Sequence, residues 1–365
     1  MKLVADSGAW TVGVQVADPP AVAVLEVSGA VLAWTVDDPG GVTSTRMTVT
    51  DAAAADWLWR VVGPAGHAAI VSGVEPADVE FLPEALNPLR RLAVGHWLRR
   101  WWPESSRDGI VRLDRALLDG ELALLTTAAE EYFTEDTLDS HVEELLAPHR
   151  AALLALERDG DPRVVEMVRT CTRLADETGA WPLAETSVPQ LDLVVGRRDD
   201  YALAAGTDRD GGSGAIARGA DSVDWVAVPP GVFDAADATI EWSIESVDVS
   251  VLAAVRVAMT GEMSAGGIEV RLRSGTVSAA GVLDTNGTAA LTLLSGDGRP
   301  LSENQAWDHD WSATIVAVGP DRGGVPGAVD PRAVRRRVRD FARTRLARPG
   351  PDAFLAEIVA AESDY

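Results

Sequence analysis

The sequence predicts a multidomain α+β protein: a small N-terminal α+β unit, a central helical bundle, a C-terminal β-sandwich and a helical tail. Three observations carry this. Short Val- and Thr-rich runs separated by Pro and Gly turns fill the first eighty residues and recur from 222 to 320. Between them lie runs with helical periodicity and helix start and stop residues. The chain then closes on an amphipathic, Arg-rich helix. The expected division is 1–80 for the α+β unit, 81–180 for the bundle, 181–221 for a linker or loop region, 222–320 for the sandwich and 328–365 for the tail.

In the first unit, strands are expected at Trp10–Val16, Ala21–Val27, Val31–Val36 and Thr43–Thr50, punctuated by Pro-Pro, Ser-Gly and Pro-Gly-Gly. Asp51 then opens a short helix that Gly63-Pro64 ends, and His67–Val74 reads as a further strand.

The stretch Leu86–Trp102, LNPLRRLAVGHWLRRWW, marks the passage from strands to helices. Asn87 is expected to cap the helix and Pro88 to occupy its first turn. At about 100° per residue, Leu86, Leu89, Ala93, Trp97 and Trp101 share one face. A structural helix joining two units is the expectation; an aromatic and Arg surface for a partner is the alternative. Helices follow from Asp114 to about Phe133, after Pro148, and from Asp161-Pro162 to Thr178-Gly179.

The segment 181–221 carries turn signals, with strand candidates at Leu191–Val195 and Tyr201–Ala205. Seven strands are then expected: Val223–Val228, Thr239–Ser246, Val251–Met259, Gly267–Arg273, Thr276–Leu283, Thr288–Leu294 and Ser312–Val318. Their spacing of roughly ten residues suits a sandwich. In the tail, Asp330 caps a helix beginning at Pro331, and Pro349-Gly350-Pro351 precedes a last short helix.

Composition narrows the function. The net charge of −24 disfavours nonspecific binding to nucleic acid or anionic membrane. No apolar run reaches the ~20 residues that span a bilayer, and the first residues lack a signal-peptide core. A single cysteine, Cys171, excludes an intrachain disulfide and suits a reducing compartment, so a soluble cytoplasmic protein is expected. Lys2 is the only lysine, which removes Schiff-base and phosphate-loop lysine chemistry. Nucleophile-elbow, phosphate-loop and dinucleotide glycine motifs are missing from the sequence, and no cofactor is expected.

Two stretches are candidate sites. In PRAVRRRVRDFARTRLAR, an apolar stripe of Val334, Val338, Phe341, Ala342 and Leu346 is surrounded by guanidinium groups. Arg335, Arg336, Arg337, Arg339 and Arg343 are the candidate partner-binding residues. They would face acidic surface on this chain or on a protein partner; contact with nucleic-acid phosphates is the third possibility. In Trp307-Asp308-His309-Asp310-Trp311, a loop could gather Asp308, His309 and Asp310 around a metal ion or ligand. An extended chain would instead turn the carboxylates away from the imidazole, leaving a strand entry packed by two Trp. Asp208-x-Asp210-Gly211-Gly212 is only half a calcium loop.

Two family resemblances add to this reading. Ser274-Gly275 followed by Leu283-Asp284-Thr285-Asn286-Gly287-Thr288-Ala289-Ala290-Leu291 resembles the transthyretin-like, carboxypeptidase-regulatory-like sandwich, which implies a binding or scaffolding module. VGVQVADPPAVAVLEV resembles the first hairpin of the actin/ribonuclease-H-like fold. The acidic residue and phosphate turn of that family are replaced here by Gln15 and Ala17-Asp18-Pro19-Pro20, which argues against nucleotide binding. The expected function is a non-enzymatic interaction or accessory component of a bacterial multi-protein system, in assembly, signalling or defence, with a protein partner or self-association. The alternatives are a hydrolase or degenerate nucleotide-binding protein with its site between units, and a nucleic-acid-associated regulator.

Overall fold

The structure, a computed structural model, describes residues 4–6, 9–38, 45–74, 80–130, 132–133, 139–181, 215–247, 250–261, 263–321 and 330–363. It combines helices with three antiparallel sheets. The strand candidates at 191–195 and 201–205 and the acidic stretch at 208–212 lie outside the described residues.

The N-terminal sheet holds β1 (Val4–Asp6), β2 (Ala9–Gly13), β3 (Val22–Val27), β4 (Ala30–Thr35) and β5 (Thr45–Val49), in the order β1-β2-β5-β4-β3. Four of these are the expected strands. The expected pairing of residues 12–16 with 21–27 as a first hairpin is wrong: among the described residues β2 pairs with β1 and β5, and β3 with β4. The β3–β4 turn is possible because Gly29 takes φ +72 and a Cβ there would lie 2.2 Å from the Asp51 carbonyl oxygen.

Helix α1 (Trp59–Ser72) corrects a second expectation. The helix does break at Gly63, at φ 69 and ψ 164, as expected. Pro64 then starts a new turn, where its missing N–H costs nothing. Residues 67–72 are therefore helical, not a strand, and Gly73 closes the helix in the left-handed region.

Helix α2 (Asn87–Trp101) follows a short 3-10 turn, so Asn87 is already helical and caps nothing. The helix is buried almost all round, at Leu89, Leu92, Ala93, Val94, Gly95, Trp97 and Leu98. Trp97 is 2 % exposed; its indole N–H donates to the Pro20 carbonyl at 2.6 Å and its ring meets Phe341 edge-on. Gly95 has no room for a side chain: a Cβ would lie 2.4 Å from Leu122 Cδ2 and 2.7 Å from Phe354 Cζ. α2 is thus the axis of one hydrophobic core shared by the sheet, the helices and the tail. α3 (Arg115–Glu130) packs on it, and α4 (Asp139–Leu146), α5 (Arg150–Asp159) and α6 (Pro162–Thr178), the last capped by Asp161, pack on α3.

A second core lies within 223–318. It is enclosed by β6 (Ala217–Asp221), β7 (Ile240–Val247), β8 (Ser250–Val257), β9 (Glu269–Ser274), β10 (Val277–Val282), β11 (Thr288–Thr292) and β12 (Ile315–Val318). They form a sheet β11-β8-β7-β6 and a sheet β10-β9-β12. Alternate residues point inward, as at Ile240, Trp242 and Ile244 on β7. The sheets meet at both edges, through the Ser278–Leu294 bridge and through Val316 N–H donating to Asp221. Among the described residues the first strand of this core is β6, inside the segment read as linker, while Val223–Val228 is a turn built on Asp224. Its sequence ARGAD has no apolar alternation. Gly219 serves there because a Cβ would fall 2.3 Å from the Trp242 ring. Helix α7 (Glu303–Asp308) sits between β11 and β12; α8 (Pro331–Ala347) and α9 (Leu355–Ser363) close the chain. Among the described residues no helix is long and apolar enough to cross a membrane.

Candidate functional site

Helix α8 is docked along its stripe, with Val334, Val338 and Ala342 buried. Its guanidinium groups divide among different partners. Arg339, 5 % exposed, spans the seam between the two cores: it bonds Asp237 (2.5 and 3.2 Å) and the Ala235 carbonyl (3.2 Å) and pairs with Asp108 (2.9 Å). Arg339 holds the Asp237 carboxyl below the usual carboxylate range. Arg343 pairs with Asp108 and Asp340, and Arg337 binds Asp37 with two bonds of 2.6 and 2.8 Å. Arg345 closes on the buried Glu357. Arg335 is buried, with no hydrogen bond among the described residues; burial lowers its pKa, and Asp237 and Asp224 act as countercharges. Arg336 alone of the five candidates is exposed and without an ion pair among the described residues. The five do not form one open surface: carboxylates of this chain engage Arg337, Arg339 and Arg343, and Arg335 is buried.

The same seam is closed by Asp234, whose carboxylate accepts from Ser105 Oγ (2.6 Å), Ser106 N–H (3.0 Å) and Ala236 N–H (2.9 Å). This is a structural lock: each acceptor position is satisfied by the fold itself.

Trp307–Trp311 is neither an extended strand nor a gathered loop. Asp308 ends α7, Asp310 accepts from Ser312 N–H at the next turn, and His309 Nε2 lies 3.0 Å from Ser274 Oγ. Trp311 is buried, but Trp307 is 56 % exposed. Among the described residues no three His, Cys, Asp or Glu side chains come together as metal ligands. Cys171 is buried against the Gly120 carbonyl, and burial pushes its thiol up to about 12, far from a thiolate nucleophile.

The site that sequence reasoning missed is a cleft of about 270 Å³ between β3, α2, α3 and α4. α2 and α4 contribute residues one turn apart, and α3 a single one. α2 supplies Leu92, His96 and Arg99, α3 supplies Thr126, and α4 supplies His141, Glu144 and Leu145. Asp119, two turns before Thr126 on the same face of α3, is 2 % exposed and organises the floor. Its carboxylate meets Arg99 Nε at 2.7 Å, Arg115 Nε at 3.1 Å and His149 Nε2 at 3.0 Å. His96 is pushed down to about 4, first by burial and then by Arg99 and His141, so its imidazole is neutral near pH 7. Thr126 is 3 % exposed and its hydroxyl has no hydrogen-bond partner among the described residues. A buried hydroxyl without a partner costs about 1–3 kcal/mol unless something occupies the space beside it. The i, i+3 pairs His96/Arg99 and His141/Glu144 are visible in the sequence; that α2 and α4 face each other is not.

No protein family, curated protein or solved structure matches this chain.

Proposed function

We propose that the chain is a non-enzymatic binding component, an accessory part of a multi-protein system, and that the α2–α3–α4 cleft is its recognition element. The observation that carries this is the Thr126 hydroxyl, buried without a partner among the described residues at the floor of a cleft that also presents Arg99 and His96. Polar and charged groups converging in a concavity beside apolar walls are what recognition of a small polar ligand requires. The two C-terminal sheets are read as a sandwich that serves as a scaffold, supported by their shared core and inward alternation. The engagement of Arg337, Arg339 and Arg343 by carboxylates of this chain weighs against a nucleic-acid role, since phosphates would have to displace them.

The test is an amide-shift NMR titration of the full chain with a set of small polar metabolites. Saturable shifts confined to 24–26, 92–99, 119–126 and 141–145 are expected for at least one compound. A full set with no saturable shift there overturns the reading.

One observation favours a second reading, a hydrolase. His149 Nε2 lies 3.0 Å from the buried Asp119 carboxylate, the arrangement in which a carboxylate orients a general base. Hydrolysis of activated esters that is lost in His149→Ala supports it; equal rates in both proteins sink it.

A further inference from the structure

The cleft is polarised from floor to mouth. Arg99, His96 and Thr126 form the floor, buried or half-buried. Arg99 shares the carboxylate of Asp119 with Arg115, which lies outside the cleft, so the Arg99 charge is only partly offset by the protein itself. Glu26 on β3 and His141 and Glu144 on α4 stand exposed at the mouth. Leu92 and Leu145, both buried, form apolar walls between the two levels.

We propose that this cleft binds a small zwitterion of the ω-amino acid kind, carboxylate inward and ammonium outward; the inference rests on the cleft being the recognition element. Each end of such a molecule answers an observed group. A carboxylate at the floor accepts from the unpartnered Thr126 hydroxyl and offsets the surplus guanidinium charge. An ammonium at the mouth meets Glu26 and Glu144. The methylenes between them cover Leu92 and Leu145. A plain carboxylate satisfies the floor but passes two glutamates without compensation. A plain amine meets the mouth but leaves Thr126 and Arg99 unanswered. His96, neutral near pH 7, adds a hydrogen-bonding group to the floor without changing this charge balance.

The experiment is isothermal titration calorimetry on the full chain at pH 7 with three probes of equal chain length: aminocaproate, caproate and hexylamine. Aminocaproate is expected to bind most tightly. Caproate should be about threefold to fivefold weaker, because the pairs it lacks at the mouth are exposed. Hexylamine should be at least about tenfold weaker, having lost the floor contacts. Thr126→Val keeps the shape of the side chain and should weaken both acids by about tenfold. Glu144→Gln, at an exposed position, should narrow the advantage of aminocaproate over caproate and leave caproate no weaker. Circular dichroism and melting curves check that both variants fold.

Equal affinities for caproate and aminocaproate overturn the zwitterion inference and leave the cleft as a binding site. Aminocaproate binding that ignores Thr126→Val places the ligand elsewhere and overturns both readings. No heat with any probe overturns the zwitterion inference, and the NMR titration then decides the cleft by itself.

Discussion

Replacing Glu357 with Gln tests whether the tail is held by a buried charge pair. Glu357 is 0 % exposed. Its two oxygens accept from Arg345 Nε (2.5 Å) and Nη2 (2.6 Å), and one also accepts from Phe354 N–H (2.9 Å). The substitution keeps the shape but removes the charge and points amide hydrogens at a guanidinium whose side chain is 9 % exposed. Breaking a buried pair from one side costs about 3–5 kcal/mol. Asp352, 3.3 Å from Arg345, remains as a second countercharge, so the lower end applies: about 3 kcal/mol. For a unit of roughly 200 residues this lowers Tm by about 6–12 °C. Replacing both partners, Arg345→Met with Glu357→Leu, removes the charges together. It should return most of the stability, short of about 1 kcal/mol for the orphaned Phe354 N–H. Urea and thermal unfolding followed by tryptophan fluorescence reads the effect, since Trp97 packs on Phe341 of α8. A cost below about 1 kcal/mol for Glu357→Gln, or a double variant as unstable as the single one, refutes the argument.

Three further predictions follow from the same packing. Lowering the pH from 6.5 to about 4 should cost up to roughly 3 kcal/mol through His96. Its folded pKa is depressed, so its contribution is full above 6.5 and disappears as pH falls; a His96→Gln variant with an unchanged acid limb in a pH–stability profile would falsify this. Asp119→Asn should destabilise by about 2–3 kcal/mol, less than a fully buried pair, because Arg99 and Arg115 reach solvent; denaturant midpoints equal to wild type would contradict it. Gly95→Ala gains about 1 kcal/mol of helix propensity but forces Leu122 and Phe354 aside at a cost of about 1–3 kcal/mol, so a net loss near 1 kcal/mol is expected. A raised melting temperature would show that Phe354 moves freely.

What the sequence determined by itself was local. Alternation of apolar residues marked β7 to β11, since side chains on a strand change face at every step. Asp161-Pro162 and Asp330-Pro331 marked the starts of α6 and α8, because a short acceptor and a fixed φ suit the first turn. The apolar stripe of α8 was legible in its spacing, and so was the Asp284–Gly287 turn, where Asp284 accepts from Asn286 N–H and Thr288 N–H.

What only the tertiary structure decided was which groups meet. Apart from the local Arg343–Asp340 pair, the partners Asp237 of Arg339, Asp108 of Arg343 and Asp37 of Arg337 lie 102, 235 and 300 residues away in the chain. Coulomb attraction acts through space, so no spacing rule could assign them. β6 became a strand through its pairing with β7 against its own weak pattern, and residues 67–72 became helix because Pro64 restarted the turn that Gly63 broke. α2 carried signs of a core helix in its Trp residues, but burial around nearly its whole circumference came from the tail and α3 closing over Gly95. The cleft belongs wholly to this second kind. His96, Arg99, Thr126, His141 and Glu144 are ordinary helix residues until three helices and an edge strand turn them toward one another. The Thr126 hydroxyl then loses water without gaining a partner.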